Sequence, residues 1–363
     1  MIGRAAQKRK SEMDSLNQAA LPKGLMFGAA ADTPTLSDAS YQALYLQHCG
    51  IITTDTALKW SRVRPTRDMV PVWTNADNLI NFALANGIKV KGHNLAWNEN
   101  NPSWLWTSNS TAPDFGVLNV PVDEAAADFD KHITETVSRY AGKITHWDVV
   151  NEPIEPAHGR ADCLRSKTWM KVFGPSYIER AFNLAHAADP NAKLFMNEQA
   201  IERWGMEKNR VAFLNLVDSL LGKGVPIHGI GFESHIIKWT GGVSHEGVMW
   251  LLGEIQKRGL EVHISEFDVS VFGGSNGALD HSITDPTAID PFAAAFARPY
   301  IRDVLSFSNV KAFICWELSD KYSDLLQDQQ RPTLFDINMQ PKQLALEVQS
   351  AIHDRQASFL PRF

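Results

Sequence analysis

One stretch of the sequence joins a buried strand to groups that could do acid–base chemistry. Residues 147–153 read Trp-Asp-Val-Val-Asn-Glu-Pro, and the paired valines favour a strand that is fully buried. Pro153 cannot continue this strand because it has no N–H for the ladder. Asn151 and Glu152 are therefore expected at the C-terminal end of the strand, where Glu152 is a candidate general acid. Taken alone, a glutamate that caps a loop is the more ordinary explanation.

More carboxylates follow an apolar run late in the chain. Within residues 264–268, Glu266 and Asp268 lie on one side of a predicted strand. Two carboxyl groups in one cleft are the machinery of glycosidic bond cleavage, in which one group donates a proton and the other is ionised. Their proximity raises the pKa of one through like-charge repulsion. Strand-end carboxylates are therefore the candidates for catalysis.

Other polar and aromatic side chains also interrupt the apolar runs near their C-terminal ends. Each one alone has an ordinary structural explanation, such as a helix cap or a core side chain, and only the joint pattern favours a site. Lysine and amide groups suit sugar hydroxyls, and tryptophan faces suit sugar rings. These side chains are Lys59, Trp60, His93, Trp97, Asn197, Glu198, Glu233, His235, Trp316, Glu317 and Asp320.

The elements that must position these groups alternate along the chain. A short apolar run is followed by a helix-period segment eight times, which predicts parallel strands with crossover helices and hence a closed (β/α)8 barrel. Such a barrel gathers all strand C-terminal ends at one mouth. The predicted strands are 25–30, 51–59, 88–97, 144–152, 192–198, 229–235, 262–269 and 310–316.

The segments between the strands complete the predicted domain. Helices are expected at 125–140, 177–188, 209–221 and 341–353, and irregular loops over the barrel mouth at 98–121 and 272–291. We predict a polar N-terminal lead-in at 1–22, a single catalytic domain at 23–356 and a C-terminal tail at 357–363.

Composition limits the function classes. The 363 residues suit one barrel domain, and the net charge of −6 argues against a nucleic-acid or anionic-membrane partner. Cys49, Cys163 and Cys315 match no zinc spacing, so buried or free thiols are expected, although one disulfide remains an alternative. No cofactor is expected. No membrane-length apolar run and no secretion signal is visible in the sequence.

Five ordered segments resemble the signatures of glycoside hydrolase family 10, whose typical members are endo-β-1,4-xylanases. The resemblance covers about residues 23–352 and implies a retaining enzyme with Glu152 as acid/base and Glu266 as nucleophile. It further implies that Asn151 holds a sugar 2-hydroxyl and that His235, oriented by Asp268, tunes Glu266. Lys59, His93, Trp97 and Trp316 would line the glycone side. The five segments are GHNLAWNENNPSW, WDVVNEP, GIGFESHI, ISEFDV and WELSDKYS.

Departures from the family pattern concentrate on the substrate side and leave the two glutamates intact. We expect xylan or xylo-oligosaccharides as substrate, with a different β-linked glycan or glycoside as the alternative. The departures are Asp55-Thr56 for Glu-Asn, Asn98 for histidine, Asn100 for glutamine, Asn197-Glu198-Gln199-Ala200 for Asn-Asp-Tyr-Asn, Glu233 for glutamine, Glu317 for glycine and Asp324 for tryptophan.

Two further hypotheses belong to other function classes. A non-catalytic glycan-binding relative is possible because Glu233 and Glu317 add acids near the pair. A metal-dependent barrel hydrolase would have to use His93, His146, Asp148 and His235, but no H-x-H or HExxH spacing favours it. We expect a monomer. Family resemblance indicates a secreted or periplasmic location, and the absence of a visible signal leaves a cytoplasmic one open.

Overall fold

Eight parallel strands close into a barrel in the computed structural model, which describes residues 13–112, 115–237, 241–271, 286–325 and 330–356. Each strand pairs with the next, and the last strand pairs with the first. The predicted (β/α)8 barrel is therefore confirmed. The barrel strands are β1 (Met26–Ala31), β2 (Ile51–Thr54), β3 (Lys89–Ala96), β4 (His146–Asn151), β5 (Lys193–Glu198), β6 (Gly229–Phe232), β7 (Glu261–Ser270) and β8 (Val310–Cys315).

Helices surround the barrel and bury one face each. None of the helices in the described ranges is long and apolar enough to cross a membrane. The helices are α1 (Leu16–Ala20), α2 (Thr33–Leu36), α3 (Ala39–His48), α4 (Trp60–Val63), α5 (Thr74–Ala85), α6 (Val122–Arg139), α7 (Thr168–Phe173), α8 (Ser176–Ala188), α9 (Glu207–Gly222), α10 (His245–Lys257), α11 (Pro286–Ser306) and α12 (Gln343–Asp354).

Helix α6 illustrates why the helical segments form where they do. Asp123 and Glu124 lie in its first turn and Arg139 in its last, which complements the helix dipole. Ala125, Phe129 and Ile133 recur every fourth residue and are fully buried. This stripe packs the helix onto the barrel.

The second strand is shorter than the sequence predicts, because it ends at Thr54 rather than Lys59. The Asp32 carboxylate accepts hydrogen bonds from the backbone N–H groups of Thr56 and Ala57. These bonds turn the chain away from the sheet, and Lys59 becomes the residue that precedes helix α4. The acceptor Asp32 follows β1 and caps helix α2, more than twenty residues earlier in the chain, so no local pattern indicated this turn.

The sixth predicted strand is also interrupted. Strand β6 ends at Phe232, and Ser234 takes a left-handed conformation with φ of 64°. The chain then forms a short strand, His235–Ile237, which pairs with the C-terminal half of β7. This second pairing sets His235 directly opposite Asp268.

The two predicted loops contain regular structure. The segment 98–121 includes an antiparallel hairpin of Trp106–Ser108 with Gly116–Leu118. Helix α11 already begins at Pro286, so the predicted loop cannot extend to residue 291. Residues 272–285 lie outside the described residues.

The N-terminal segment contributes to the packed domain. Helix α1 lies within the predicted lead-in, and its Leu16 and Ala20 are fully buried in the main core. The Asn17 carboxamide also accepts a hydrogen bond from the Phe27 N–H at the start of β1. We infer that the domain begins no later than Ser15. All three cysteines are buried and free.

Arg355 fastens the end of the domain to the barrel. Its guanidinium is buried and donates hydrogen bonds to the backbone carbonyls of Leu305, Phe307, Val310 and Lys23 at 2.8–3.3 Å. One side chain therefore joins the N-terminal segment, the α11–β8 connection and the C-terminal end of α12.

We expect Arg355→Leu to lower the free energy of unfolding by about 2–4 kcal/mol, because buried carbonyls lose charged donors. Urea unfolding measures this loss. The matched control is Arg298→Leu, which removes a surface ion pair with Glu347 and is expected to cost much less. Equal losses in the two variants would contradict the role given to Arg355.

Candidate active site

The side chain of Asn197 joins the ends of four strands. Its Nδ2 group donates to Asn151 Oδ1 and to Glu266 Oε1, each at 2.8 Å, and lies 3.3 Å from Glu233 Oε1. Its Oδ1 atom accepts a hydrogen bond from Ser265 Oγ at 2.7 Å. Since Asn151 Nδ2 also lies 3.4 Å from Glu152 Oε1, two amides link the two predicted catalytic glutamates. The barrel therefore brings Glu152 and Glu266 to one mouth.

Gly231 leaves room for this amide. It pairs with Asn197 in the register between β5 and β6. A Cβ atom built at Gly231 would lie 1.9 Å from Asn197 Oδ1, a distance that no real Cβ contact shows. A glycine is therefore required here by close approach.

Glu152 is held by its backbone and its carboxylate. Its φ of 49° lies in the left-handed region, and its N–H donates to the Asn197 carbonyl at 2.9 Å. Arg165 donates through Nε to the Glu152 carbonyl and places Nη2 3.2 Å from Oε2. Gln199 Nε2 donates to the same Oε2 at 2.9 Å. These contacts hold in place a backbone conformation that costs free energy.

His235 lies between two carboxylates. Its Nδ1 is 3.0 Å from Asp268 Oδ2 and its Nε2 is 3.3 Å from Glu266 Oε2. Burial alone disfavours a charged ring, but Asp268 and Glu266 together raise the pKa of His235 well above its usual value. The ring is therefore an imidazolium that donates to both acids.

A buried polar chain approaches Glu266 from the barrel interior. Lys91 Nζ lies 2.9 Å from Asp148 Oδ1, and Asp148 Oδ2 lies 3.0 Å from His93 Nδ1. Burial and the charge of Lys59 lower the pKa of His93, against the opposing effects of Glu266 and Asp148. His93 Nε2 then lies 4.0 Å from Glu266 Oε1.

The two glutamates are pushed towards opposite protonation states. Burial raises the pKa of Glu152, and the charge of Glu266 adds to this effect against the attraction of Arg165. Burial also opposes the ionisation of Glu266, but His93, His235 and Lys59 outweigh it and lower its pKa to about 2. At intermediate pH these shifts favour a carboxylic acid at Glu152 and a carboxylate at Glu266.

Aromatic side chains and a lysine surround the charged groups on one side. Lys59 Nζ lies 4.4 Å from the Trp97 ring centroid. The Trp316 ring contacts the rings of His93 and His235 edge-on, at centroid distances of 5.6 and 6.3 Å. Trp97 and Trp316 directly follow β3 and β8, as the sequence predicts, whereas Lys59 lies five residues beyond the end of β2.

The remaining predicted residues are two acids, Glu233 and Glu317, and two amides, Asn98 and Asn100. Burial raises the pKa of Glu233 well above its usual value, and Glu266 and Glu152 raise it further, so this third acid is neutral. Glu317 faces helix α3, where it accepts a hydrogen bond from Tyr41 Oη at 2.6 Å, and burial raises its pKa. Asn98 is buried and Asn100 is exposed, and neither joins the contacts around the glutamates described above.

The sequence analysis did not assign the contacts that hold Glu152 and Glu266 in place. It named Asn197 as a strand-end candidate and Gln199 only as a departure from the family pattern, and it did not name Arg165. Gln199 and Arg165 lie on loops after β5 and β4 and contact Glu152 only through the folded chain. No spacing in the sequence points from either residue to Glu152.

Glu233, His235 and Glu266 also place their ligand atoms within 4.8 Å of one another, as a metal site would. The two ring nitrogens of His235 lie 3.0 Å from Asp268 Oδ2 and 3.3 Å from Glu266 Oε2, so both already face carboxylate partners. His146, which the metal-dependent hypothesis requires, lies at the first residue of β4, whereas Asn151 is the last. Among the described residues, His146 groups with Glu261 and His263 rather than with His235, so the four residues that the hypothesis names do not form one ligand set.

Known proteins match this chain over nearly its whole length. The family model described as Glycosyl hydrolase family 10 matches residues 15–351. The endo-1,4-beta-xylanase B of Paenibacillus barcinonensis is 31% identical over 346 residues, which are 92% of this chain and 96% of the relative. The native xylanase 10B of Thermotoga maritima superposes with a TM-score of 0.79 at 29% identity, covering 94% of this chain and 98% of that structure. The protein is thus a member of glycosyl hydrolase family 10.

Proposed function

We propose that the protein is a retaining endo-β-1,4-xylanase that cleaves internal xylosidic bonds in xylan or xylo-oligosaccharides. The observation that carries this proposal is a pair of linked glutamates with oppositely shifted pKa values at the barrel mouth. Family membership supports the reaction class. Relatives described as xylanases support the substrate, and one similar structure, from Thermotoga petrophila, is a complex with xylobiose.

Each glutamate has one role in the double displacement. Glu152 gives its proton to the leaving glycosidic oxygen while the Glu266 carboxylate attacks the anomeric carbon, which yields a glycosyl ester and a free sugar chain end. Glu152 then takes a proton from water as that water attacks the same carbon and releases Glu266. Arg165 and Gln199 keep the Glu152 carboxyl oriented through both steps.

Neighbouring side chains bind the sugar and tune the nucleophile. Asn151, fixed by Asn197, holds the 2-hydroxyl at the cleavage site, an interaction that strengthens in the transition state. Lys59, Trp97 and Trp316 line the glycone side. His235, oriented by Asp268, keeps Glu266 ionised.

Glu233 and Glu317, the two acids that depart from the family pattern, change the hydrogen bonds of the site more than they change its charge. The neutral Glu233 carboxylic acid can donate a proton that a carboxylate lacks, so it serves a sugar hydroxyl much as an amide would. Glu317 supports the β8 end through Tyr41. Asn98 and Asn100 remain predicted substrate-side residues, to be tested by substitution.

Cell location and assembly are part of the proposal. We expect a monomer in a secreted or periplasmic location, since polymeric xylan lies outside cells. A similar structure from Thermoanaerobacterium saccharolyticum is described as an intracellular xylanase, so fractionation of the native host decides between the compartments.

Glu152→Gln and Glu266→Gln should each lower reducing-sugar release from xylan by roughly a thousandfold or more. An aryl xylobioside with a good leaving group needs no proton donor, so it should still glycosylate Glu152→Gln in a burst but leave Glu266→Gln inert. Proton NMR of fresh products should show retained β configuration. Binding of xylan by the wild type without turnover would support a non-catalytic relative instead.

The pH profile of kcat/KM should be bell-shaped, because Glu266 must be ionised and Glu152 protonated. The rate falls as pH drops towards the low pKa of Glu266, and falls again as pH rises through the raised pKa of Glu152. Asp268→Asn should lower the pKa of His235 and so raise that of Glu266, which moves the acid limb to higher pH. Asp303→Asn is the control, because Asp303 is the carboxylate partner of His245 in an exposed pair. An acid limb that stays in place in Asp268→Asn would contradict the tuning role.

Gly231→Ala should lower kcat at least roughly tenfold, because its methyl group displaces the Asn197 amide and loosens both glutamates. Gly253→Ala is the matched control, since it lies in helix α10 and a Cβ there meets nothing within 4 Å. Far-ultraviolet circular dichroism checks that both variants fold. Full activity in folded Gly231→Ala would refute the positioning role of Asn197.

A further inference from the structure

Trp204 is the most exposed aromatic side chain in the described ranges of the chain. Its exposed fraction is 62%, against 44% for Trp250, the next most exposed tryptophan. It lies on the loop that joins β5 to helix α9. Single exposed apolar groups are common on protein surfaces, so exposure by itself assigns no role to this ring.

Hydrogen bonds from Arg210 and Ser244 fix the backbone of the loop that carries Trp204. The buried Arg210 guanidinium donates through Nη1 to the carbonyls of Ile201 and Arg203, both at 2.9 Å. Glu202 is fully buried, and its carbonyl accepts a hydrogen bond from the Ser244 N–H at 2.9 Å. The fold therefore orders this loop with buried charged groups and still leaves a large ring in solvent.

The ring is also supported at its base by the loop after the short strand His235–Ile237. The Trp204 N–H donates to the Gly242 carbonyl at 3.0 Å, and Arg203 forms an antiparallel bridge with Val243. A Cβ atom at Gly241 would lie 3.5 Å from Trp204 Cβ and Cδ1. Trp204 is thus packed on one flank by backbone, and most of its surface remains open.

The strand order places this loop on a defined side of the catalytic pair. Glu152 follows β4 and Glu266 lies on β7, so the pair divides the rim into β5 and β6 on one side and β8, β1, β2 and β3 on the other. The glycone groups Lys59, Trp97 and Trp316 all belong to the second side. The leaving part of the substrate therefore extends over β5 and β6, where the Trp204 loop begins.

The path from the reaction centre to Trp204 is short. Gln199, five residues earlier, donates a hydrogen bond to Glu152 Oε2. Five residues span at most about 18 Å even when fully extended. A sugar chain of a few units that leaves the Glu152 side can therefore reach the ring, whereas the first leaving unit, directly at Glu152, is closer to Gln199.

We propose that Trp204 is a stacking platform for a distal sugar unit of the leaving chain. The inference rests on the proposed xylanase function and adds a binding position on its aglycone side. The flat indole face matches the apolar C–H face of a β-linked pyranose ring. Because the loop is already ordered, binding costs little loss of conformational freedom. The platform therefore favours long substrates over short ones.

The test compares kcat/KM for an aryl β-xylobioside and for xylohexaose. The aryl substrate does not extend to Trp204, so Trp204→Ala should leave its hydrolysis unchanged. Xylohexaose should lose roughly 3- to 10-fold in kcat/KM, mainly through KM. Its cleavage should also shift away from products that need a long leaving chain. Trp204→Phe keeps a ring and should restore most of the loss.

Trp250→Ala is the matched control, because Trp250 is an exposed tryptophan on helix α10, outside the barrel mouth. It should match the wild type on both substrates. Unchanged xylohexaose kinetics in Trp204→Ala, or equal losses on both substrates, would overturn the platform while the wild type still cleaves xylan. A wild type without xylan cleavage would overturn the proposed function and the platform together.

Discussion

The site depends on one amide that several strands share. Asn197 Nδ2 is within 2.8 Å of both Asn151 Oδ1 and Glu266 Oε1, and its Oδ1 accepts from Ser265. A side-chain amide is suited to this position because it offers donors and an acceptor without adding charge. The contact requires Gly231 on the next strand, since any Cβ there would overlap Oδ1. The register of the barrel strands, the glycine at position 231 and the geometry of the glutamates therefore depend on one another.

Buried charge around this amide separates the two glutamates in pKa. Two histidines, each in contact with a buried aspartate, flank Glu266, with Lys91–Asp148–His93 on the inner side and Asp268–His235 on the outer side. Burying such pairs costs desolvation free energy that their attraction only partly repays. A site that served stability alone would use apolar residues here. The cost is consistent with a function that needs one acid and one base within the same cleft.

Much of the architecture followed from the sequence. All eight apolar runs became barrel strands, and Asn197 contacts the predicted residues Asn151, Glu233 and Glu266 at neighbouring strand ends. Where predictions were wrong, a distant residue decided the local structure: Asp32 ends β2 before Lys59, and β7 draws His235 into a second strand. Glu317, which stays a predicted substrate-side residue, accepts a hydrogen bond from Tyr41 on helix α3. Arg165 and Gln199 reach Glu152 from loops, where no periodicity predicts direction.

The sequence by itself determined the strand count and the barrel, because apolar periodicity is a local property of the chain, and its strand-ending residues together with the family resemblance predicted the two catalytic glutamates. Only the tertiary structure decided the protonation states, since a pKa depends on burial and on charges that lie far apart in sequence. The same holds for the side of the cleft on which each aromatic ring lies. The order of strands around a closed barrel fixes those positions, and it comes into being only when β8 pairs with β1.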